Sequence, residues 1–167
     1  MGGVASVGRM IGARRATAAD AAELVRLRAV MLASMTGREP VDDGWRRSAE
    51  ERLRVRLDEP DPRMLAFVVD APGGGLAACA TGTVEERLGG PGNPHGLVGY
   101  VFNVVTDPGH RRRGYSRACV TALVEWYRER GITTVDLRSS PEAEALYASL
   151  GFVRTSDPAM RLRFTSP

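Results

Sequence analysis

Apolar residues recur every three or four positions in two segments of the first half of the chain, which is the spacing of one buried helix face. The first segment follows a capping-box-like sequence at 17–20, ends near Gly37, and carries on one side Leu24, Leu27 and Met31. The second lies between Asp42-Asp43 and the prolines at 60 and 62, and its repeating positions are Trp45, Ala49, Leu53 and Leu57. The pattern predicts two amphipathic helices whose charged sides face water.

Short apolar runs bounded by glycine and proline predict the strands. Runs at 10–16, 64–70 and 76–84 predict a first strand and a hairpin, and the glycine- and proline-rich stretch 88–96 predicts a surface loop. Residues 97–105 are apolar at almost every position, which predicts a strand buried on both faces at the centre of the sheet. A strand at 133–138 and a hairpin of 152–155 with 160–164 are predicted after it.

The second half of the chain contains two more predicted helices. The longer one ends at Gly131, and its apolar positions are Cys119, Ala122, Leu123, Trp126 and Tyr127. The shorter one is predicted to begin at Ser140-Pro141-Glu142, with the serine as N-cap and the proline at the first helical position, and to end at Gly151. The order of elements predicts one domain over residues 10–167 behind a flexible tail at residues 1–9.

Composition and charge indicate a single globular domain and do not require a nucleic-acid partner. The 167 residues are 43% hydrophobic, which suits one domain with a buried core. The net charge of +3 is too small to require a nucleic-acid partner, and all cationic side chains are arginine, as in proteins of GC-rich bacterial genomes. Cys79 and Cys119 predict free thiols rather than a disulfide or a metal site. Without a secretory signal or an apolar run of about 20 residues, we expect a cytoplasmic protein with no membrane contact.

The predicted strand at 97–105 leads into a turn rich in arginine and glycine that opens the longer helix. A helix beginning near Tyr115 presents unbonded backbone N–H groups, and Gly114 lets a ligand approach the backbone closely. The side chains that can add charge or a hydroxyl are Arg111, Arg112, Arg113, Ser116 and Arg117. Because the sequence lacks a P-loop and a dinucleotide fingerprint, this turn predicts a phosphate site of another kind.

Two motifs resemble those of the GCN5-related N-acetyltransferases. Arg111-Arg-Arg-Gly114-Tyr-Ser116 is similar to the family's Arg/Gln-x-x-Gly-x-Gly/Ala, and Ala143 to Phe152 is similar to its Ala-x-x-x-Tyr-x-x-x-Gly-Phe. The resemblance implies an α/β fold, a single domain with a mixed, mostly antiparallel central sheet flanked by about four helices. It also implies acetyl-CoA as co-substrate, no metal, and an amine acceptor.

The resemblance also implies roles for individual residues. Backbone amides of the turn would hold the pyrophosphate and strand residues would pair with pantetheine, which makes the cofactor-binding set Val104, Val105, Thr106, Arg111, Arg112, Arg113, Gly114, Tyr115, Ser116 and Arg117. Ser140 stands where the family often has an Asn that contacts pantetheine. A backbone N–H near Val104 would stabilise the oxyanion. Tyr147 would be the general acid, because a phenol with pKa about 10 can protonate a thiolate whose acid lies near 8.5.

The sequence does not identify the general base that would deprotonate the incoming amine. The family often draws it from a carboxylate on the central strand, but residues 97–106 contain none. Glu85, Glu86 and His95 are the candidates, and strand alternation places at most one of the two glutamates on the pocket side. Asn103, the one strongly polar side chain of that strand, is a candidate for orienting substrate or water.

Three functions remain in order of preference. The first is acetyl transfer from acetyl-CoA to a primary amine by direct attack, since Cys119 lies within a helix pattern and not on a reactive turn. The second is a non-catalytic acyl-CoA sensor, and the third a nucleic-acid module, which lacks interleaved aromatic residues. The sequence does not identify the acceptor, and a homodimer is possible because dimers are common in the family.

Overall fold

A computed structural model describes residues 12–164, which form a five-stranded sheet and four α-helices. The strands are β1 (Arg14–Arg15), β2 (Met64–Asp70), β3 (Leu76–Glu86), β4 (Leu97–Thr106) and β5 (Val135–Leu137). The helices are α1 (Ala21–Thr36), α2 (Trp45–Leu57), α3 (Tyr115–Glu129) and α4 (Glu144–Ser149), with short 3₁₀ turns at Ala18–Asp20 and Pro108–His110. Among these residues, no helix has the length and apolarity needed to span a membrane.

The sheet has the order β1-β2-β3-β4-β5, antiparallel throughout except for the parallel pair of β4 with β5. The parallel pairing joins only Gly99–Val101 to Val135–Leu137. Residues 102–106 of β4 therefore have no strand beside them on that side within the described part of the chain. The sheet is open between the second half of β4 and the end of β5.

Helices cover both faces of the sheet because the strands alternate their apolar side chains. Leu65 and Val69 of β2 pack with α3 residues, including Leu123 and Tyr127. Val68 faces the opposite cluster, which is built with Ala66, Leu24, Leu27 and Leu57. This arrangement confirms the predicted fold class, a mixed and mostly antiparallel sheet flanked by four helices.

Two glycines let α3 approach the sheet closely. A Cβ atom at Gly82 would lie 2.2 Å from the Tyr127 hydroxyl, and one at Gly99 would lie 2.8 Å from the Tyr127 ring. The hydroxyl lies 3.0 Å from the carbonyl oxygens of both Thr83 and Tyr100, so it can donate to either. Burial raises the pKa of Tyr127. This contact fixes the helix that follows the arginine turn against β3 and β4.

Most helix and strand predictions are confirmed, including the end of α1 at Gly37 and the full extent of β2 and α2. The predicted centre of the sheet is wrong. The middle strand is β3, which is buried along 76–82, because it lies between two strands and two helical layers. Strand β4 borders the opening, so Tyr100, Phe102, Asn103 and Val104 are only partly buried.

Three other predictions need correction. The shorter helix begins at Glu144, because Ser140 closes a turn in which its carbonyl accepts from the Ala143 amide, 3.1 Å away. Residues 152–164 contain no strand, and their apolar residues Met160, Leu162 and Phe164 are exposed, since β5 offers a template of only three residues. The first strand is reduced to Arg14–Arg15, and its predicted start and the tail at 1–9 lie outside the described residues.

Candidate active site

A bulge interrupts β4 beside the opening of the sheet. Val105 pairs with Cys79 and Phe102 with Thr81, so β4 has one residue more than β3 between these pairs. The residue Asn103 has a φ of 49°, a left-handed conformation that asparagine tolerates better than most side chains. A bulge turns the backbone out of the regular ladder. The backbone of Asn103 and Val104 is therefore placed at the opening.

A cleft of about 400 Å³, called here the main cleft, lies between the end of β4, the start of α3, α1 and α4. Its polar lining comes from the turn after β4, and its apolar lining comes from helix side chains. The lining residues are Met31, Ser34, Val104, Val105, Thr106, His110, Arg111, Arg112, Gly114, Tyr115, Ser116, Arg117, Ala143, Leu146 and Tyr147.

The floor of the main cleft is an amide loop, residues 111–117. The backbone N–H groups of residues 114–117 have no acceptor within residues 12–164, and the first bonded amide of α3 is that of Ala118, which donates to the Gly114 carbonyl at 3.0 Å. Arg112 and Gly114 have left-handed φ values of 62° and 77°. Successive amides in such a turn point into one concavity and bind anions.

Positive charge surrounds the amide loop. Its arginines at 111, 112, 113 and 117 form no ion pair with any described carboxylate. Thr106 and Ser116 share a hydrogen bond of 2.6 Å between their hydroxyls, which joins the end of β4 to the first turn of α3. The loop is therefore held in register with the strand, and its charge is available to a ligand.

Tyr147 of α4 lies across the main cleft from β4. Its side chain is buried, and its ring contacts Phe152 edge-on at a centroid distance of 5.9 Å. No hydrogen bond joins its hydroxyl to another of the described residues. Burial raises the pKa of Tyr147. The phenol therefore stays protonated at neutral pH, as a proton donor must.

The main cleft contains most of the residues that the sequence assigned to cofactor binding. The exceptions are Arg113 and Ser140, which are exposed outside it. Residues that sequence reasoning missed in the cleft are Met31, Ser34, His110, Ala143 and Leu146. The sequence predicts Met31 on the apolar side of a helix, but only the packing of α1 and α4 shows that this side, with Ala143 and Leu146, lines a cleft. His110 has a buried Nδ1 without a partner in residues 12–164.

The predicted base candidates lie away from the main cleft. Glu85 pairs with Arg87 and Glu86 with Arg63, each at 2.8 Å. In the sheet these glutamates stand opposite Val98 and Leu97, at the far end of β4 from Thr106. His95 is exposed in the loop before β4. The structure does not bring any of the three to Tyr147.

A second cavity of about 220 Å³, called here the α1–α2 cavity, lies on the other side of the bulge. It is mostly apolar, and its lining residues are Leu24, Val25, Arg28, Ala49, Arg52, Leu53, Met64, Thr81, Phe102 and Asn103. Asn103, predicted to contact substrate, is therefore in a cavity. Among residues 12–164, no cluster of three His, Cys, Asp or Glu side chains is arranged to bind a metal.

Comparison with known proteins supports the fold class described above. The model of the Acetyltransferase (GNAT) family matches residues 27–152. A GCN5-related N-acetyltransferase from Ralstonia eutropha JMP134 superposes with a TM-score of 0.74 at 25% identity, over 90% of this chain and 97% of that one. A predicted acetyltransferase with acetyl-CoA from Clostridium acetobutylicum gives a TM-score of 0.77 at 23% identity, over 92% and 96% of the two chains.

A curated relative gives the same result from sequence alone. The chain is 30% identical over 122 residues to a mycothiol acetyltransferase from Clavibacter sepedonicus, which covers 71% of this chain and 40% of that protein. The fold of residues 12–164 defines one class of protein, the acetyltransferases. The chain belongs to the GNAT family of acetyltransferases.

Proposed function

We propose that this protein transfers the acetyl group of acetyl-CoA to a primary amine by direct attack. The observation that carries the proposal is the single cleft that holds the amide loop, the bulged end of β4 and Tyr147. These three parts supply an anion site, a strand edge and a protonated phenol in one place. The acceptor belongs on the other side of the bulge, in the α1–α2 cavity.

Acetyl-CoA would be held mainly by backbone groups. The unbonded amides of the amide loop suit the pyrophosphate, and the arginines at 111, 112 and 117 add charge. Residues 102–106 of β4 present a strand edge, and an extended ligand with amide groups can pair with such an edge as an added strand. Pantetheine is such a ligand, and its thioester would then lie beside Asn103 and Val104.

The proposed reaction needs one nucleophile and one acid. The neutral amine attacks the thioester carbonyl, the C–N bond forms, and the resulting oxyanion accepts from a backbone N–H near Val104. The C–S bond then breaks, and Tyr147 donates its proton to the departing thiolate. The proton lost by the nitrogen passes to solvent, and Tyr147 regains one from solvent before the next cycle.

The amine is proposed to enter already deprotonated. Neither the main cleft nor the α1–α2 cavity has a carboxylate among its described lining residues. The α-ammonium group of a peptide N-terminus has a pKa of about 7.7–8.0, and that of a free amino acid lies higher because its carboxylate stabilises the cation, so the neutral fraction of either grows as the pH rises. Positioning and oxyanion stabilisation would then provide most of the catalysis.

The test is thiol release from acetyl-CoA against a panel of primary amines, with product mass measured in parallel. We expect an amine-dependent release of thiol and a product heavier by one acetyl group. An increase in thiol without acetylated amine would show hydrolysis instead and would contradict the proposal.

The absence of a carboxylate from both described linings also favours a second candidate, an acyl-CoA sensor that binds but does not turn over. Equilibrium titration separates the two functions. Saturable acetyl-CoA binding without acetylation of any amine in a broad panel would support the sensor.

A further inference from the structure

One arginine of α1 lies against an apolar cavity without an acidic partner. Arg28 is partly buried in the lining of the α1–α2 cavity, beside Leu24, Val25 and Phe102. Among the described residues its one hydrogen bond runs 3.5 Å from Nη1 to the Oδ1 atom of Asn103. Burial lowers the pKa of this guanidinium, which nevertheless remains charged.

Arg26, two residues earlier on α1, differs from Arg28 because it has acidic partners. It donates to Glu23 and Asp107 and, at 2.9 Å, to the carbonyl of Leu76. Arg28 has five N–H donors and one long hydrogen bond, and no carboxylate within residues 12–164 forms an ion pair with it. A desolvated cation is costly unless a counter-charge accompanies it. The α1–α2 cavity is therefore complementary to an anion.

The unpaired guanidinium is close to the proposed site of acetyl transfer. The main cleft and the α1–α2 cavity meet along α1 and β4, because Arg28 and Met31 are one helical turn apart and Asn103 and Val104 are adjacent. An anionic group bound at Arg28 would thus be next to the bulge. An amine attached to the neighbouring carbon of the same molecule would face the thioester.

We propose that the acceptor is a small amine bearing a carboxylate on the carbon next to the nitrogen and an apolar side chain, the chemistry of an apolar α-amino acid. Arg28 binds the carboxylate, and the apolar group packs against Leu53 and Phe102. The volume of 220 Å³ lies below the range of about 300–1,000 Å³ for sites of drug-sized ligands, which favours a small acceptor. This inference rests on the proposed acetyl transfer.

The test compares matched acceptors in the thiol-release assay: leucine, leucinamide, 3-methylbutylamine and 2-aminoethyl phosphate. After division by the neutral fraction of each amine, kcat/KM should be highest for leucine, because only it combines the carboxylate with the apolar group. Arg28→Gln should raise KM for leucine by about 10- to 100-fold, the usual size of a lost charge-assisted hydrogen bond, and should leave KM for leucinamide and the acetyl-CoA affinity unchanged. Arg47→Gln, on the exposed side of α2, is the control and should change neither.

Three results would overturn the inference while leaving acetyl transfer intact. Leucinamide could match leucine in kcat/KM per neutral amine, or Arg28→Gln could slow both equally. The third is a preference for 2-aminoethyl phosphate, which would mean that the site binds a phosphate and not a carboxylate. If no amine reacts, acetyl transfer itself fails, and calorimetric titration of leucine into the CoA complex becomes the test. Leucine binding that Arg28→Gln abolishes would still support the anion site, and no binding would reject it.

Discussion

The two sides of the β4 bulge are built in different ways. On the side of the main cleft, the amide loop provides a run of unbonded backbone amides from one short segment of chain. On the side of the α1–α2 cavity, the lining consists of side chains from α1, α2, β2, β3 and β4. A backbone site depends little on side-chain identity, whereas a side-chain site can change its ligand by single substitutions. Under the proposed function, the family resemblance therefore indicates the cofactor, while the acceptor depends on the side chains of the α1–α2 cavity.

The largest effect should come from removing the phenol of Tyr147 in the main cleft. Tyr147→Phe keeps the packing against Phe152 but removes the proton donor, so we expect kcat to fall by about 100- to 10,000-fold with acetyl-CoA affinity unchanged. Tyr100→Phe, a partly buried tyrosine outside the main cleft, is the matched control and should retain kcat. If Tyr147→Phe keeps full activity, Tyr147 is not the general acid.

A second substitution should distort only the amide loop. Gly114 has a φ of 77°, so Gly114→Val should strain the amide loop and reduce acetyl-CoA affinity by about 10- to 100-fold, corresponding to a strain of about 1–3 kcal/mol. Gly37→Val introduces a similar strain at a φ of 72° in the C-cap of α1, with no neighbour within 4 Å. Isothermal titration of both variants checks the prediction. Equal losses of affinity would show a general loss of stability rather than a local site.

The pH dependence of kcat/KM can show whether its rise with pH comes from deprotonation of the acceptor amine or of a group on the protein. Below the pKa of the acceptor amine, kcat/KM should rise about tenfold per pH unit and should shift when an amine of different pKa is used. Because burial raises the pKa of Tyr147, loss of the acid form should reduce activity only at a pH above the ordinary pKa of a phenol, about 10. If kcat/KM rises over the same pH range for every amine, a group on the protein acts as the base.

The smallest expected effect concerns the glutamates first considered as bases. Glu85→Gln and Glu86→Gln each break an exposed ion pair, so we expect changes in kcat below twofold and in stability of about 0–1 kcal/mol. Steady-state kinetics and thermal unfolding measure both quantities. A large fall in kcat for either variant would return that glutamate to the mechanism.

The sequence predicted those features that depend on neighbouring residues. The amide loop follows from the spacing of arginines and Gly114, and α3 from its regular apolar repeat. The sequence-based predictions were wrong where the structure depends on contacts between segments that are far apart in the chain. The strand at 97–106 is apolar enough for the centre of a sheet, but its position beside the opening depends on how little of β5 pairs with it.

The α1–α2 cavity could not be predicted for the same reason. Arg28 lies among six other arginines in the α1 and α2 segments, and nothing in the sequence shows that Asn103 comes within 3.5 Å of it. The bulge that brings Asn103 there is a property of the register between β3 and β4. The lack of a carboxylate in the strand was visible in the sequence, whereas the distance of Glu85 from the cleft required the structure.

The central claim is that the amide loop binds the pyrophosphate of acetyl-CoA, and its most direct test is a calorimetric titration with acetyl-CoA in the absence and presence of inorganic pyrophosphate. The account predicts saturable binding of one acetyl-CoA per chain that pyrophosphate weakens competitively, and that Gly114→Val reduces for both ligands. No measurable binding of acetyl-CoA, or binding that pyrophosphate leaves unchanged, would contradict it.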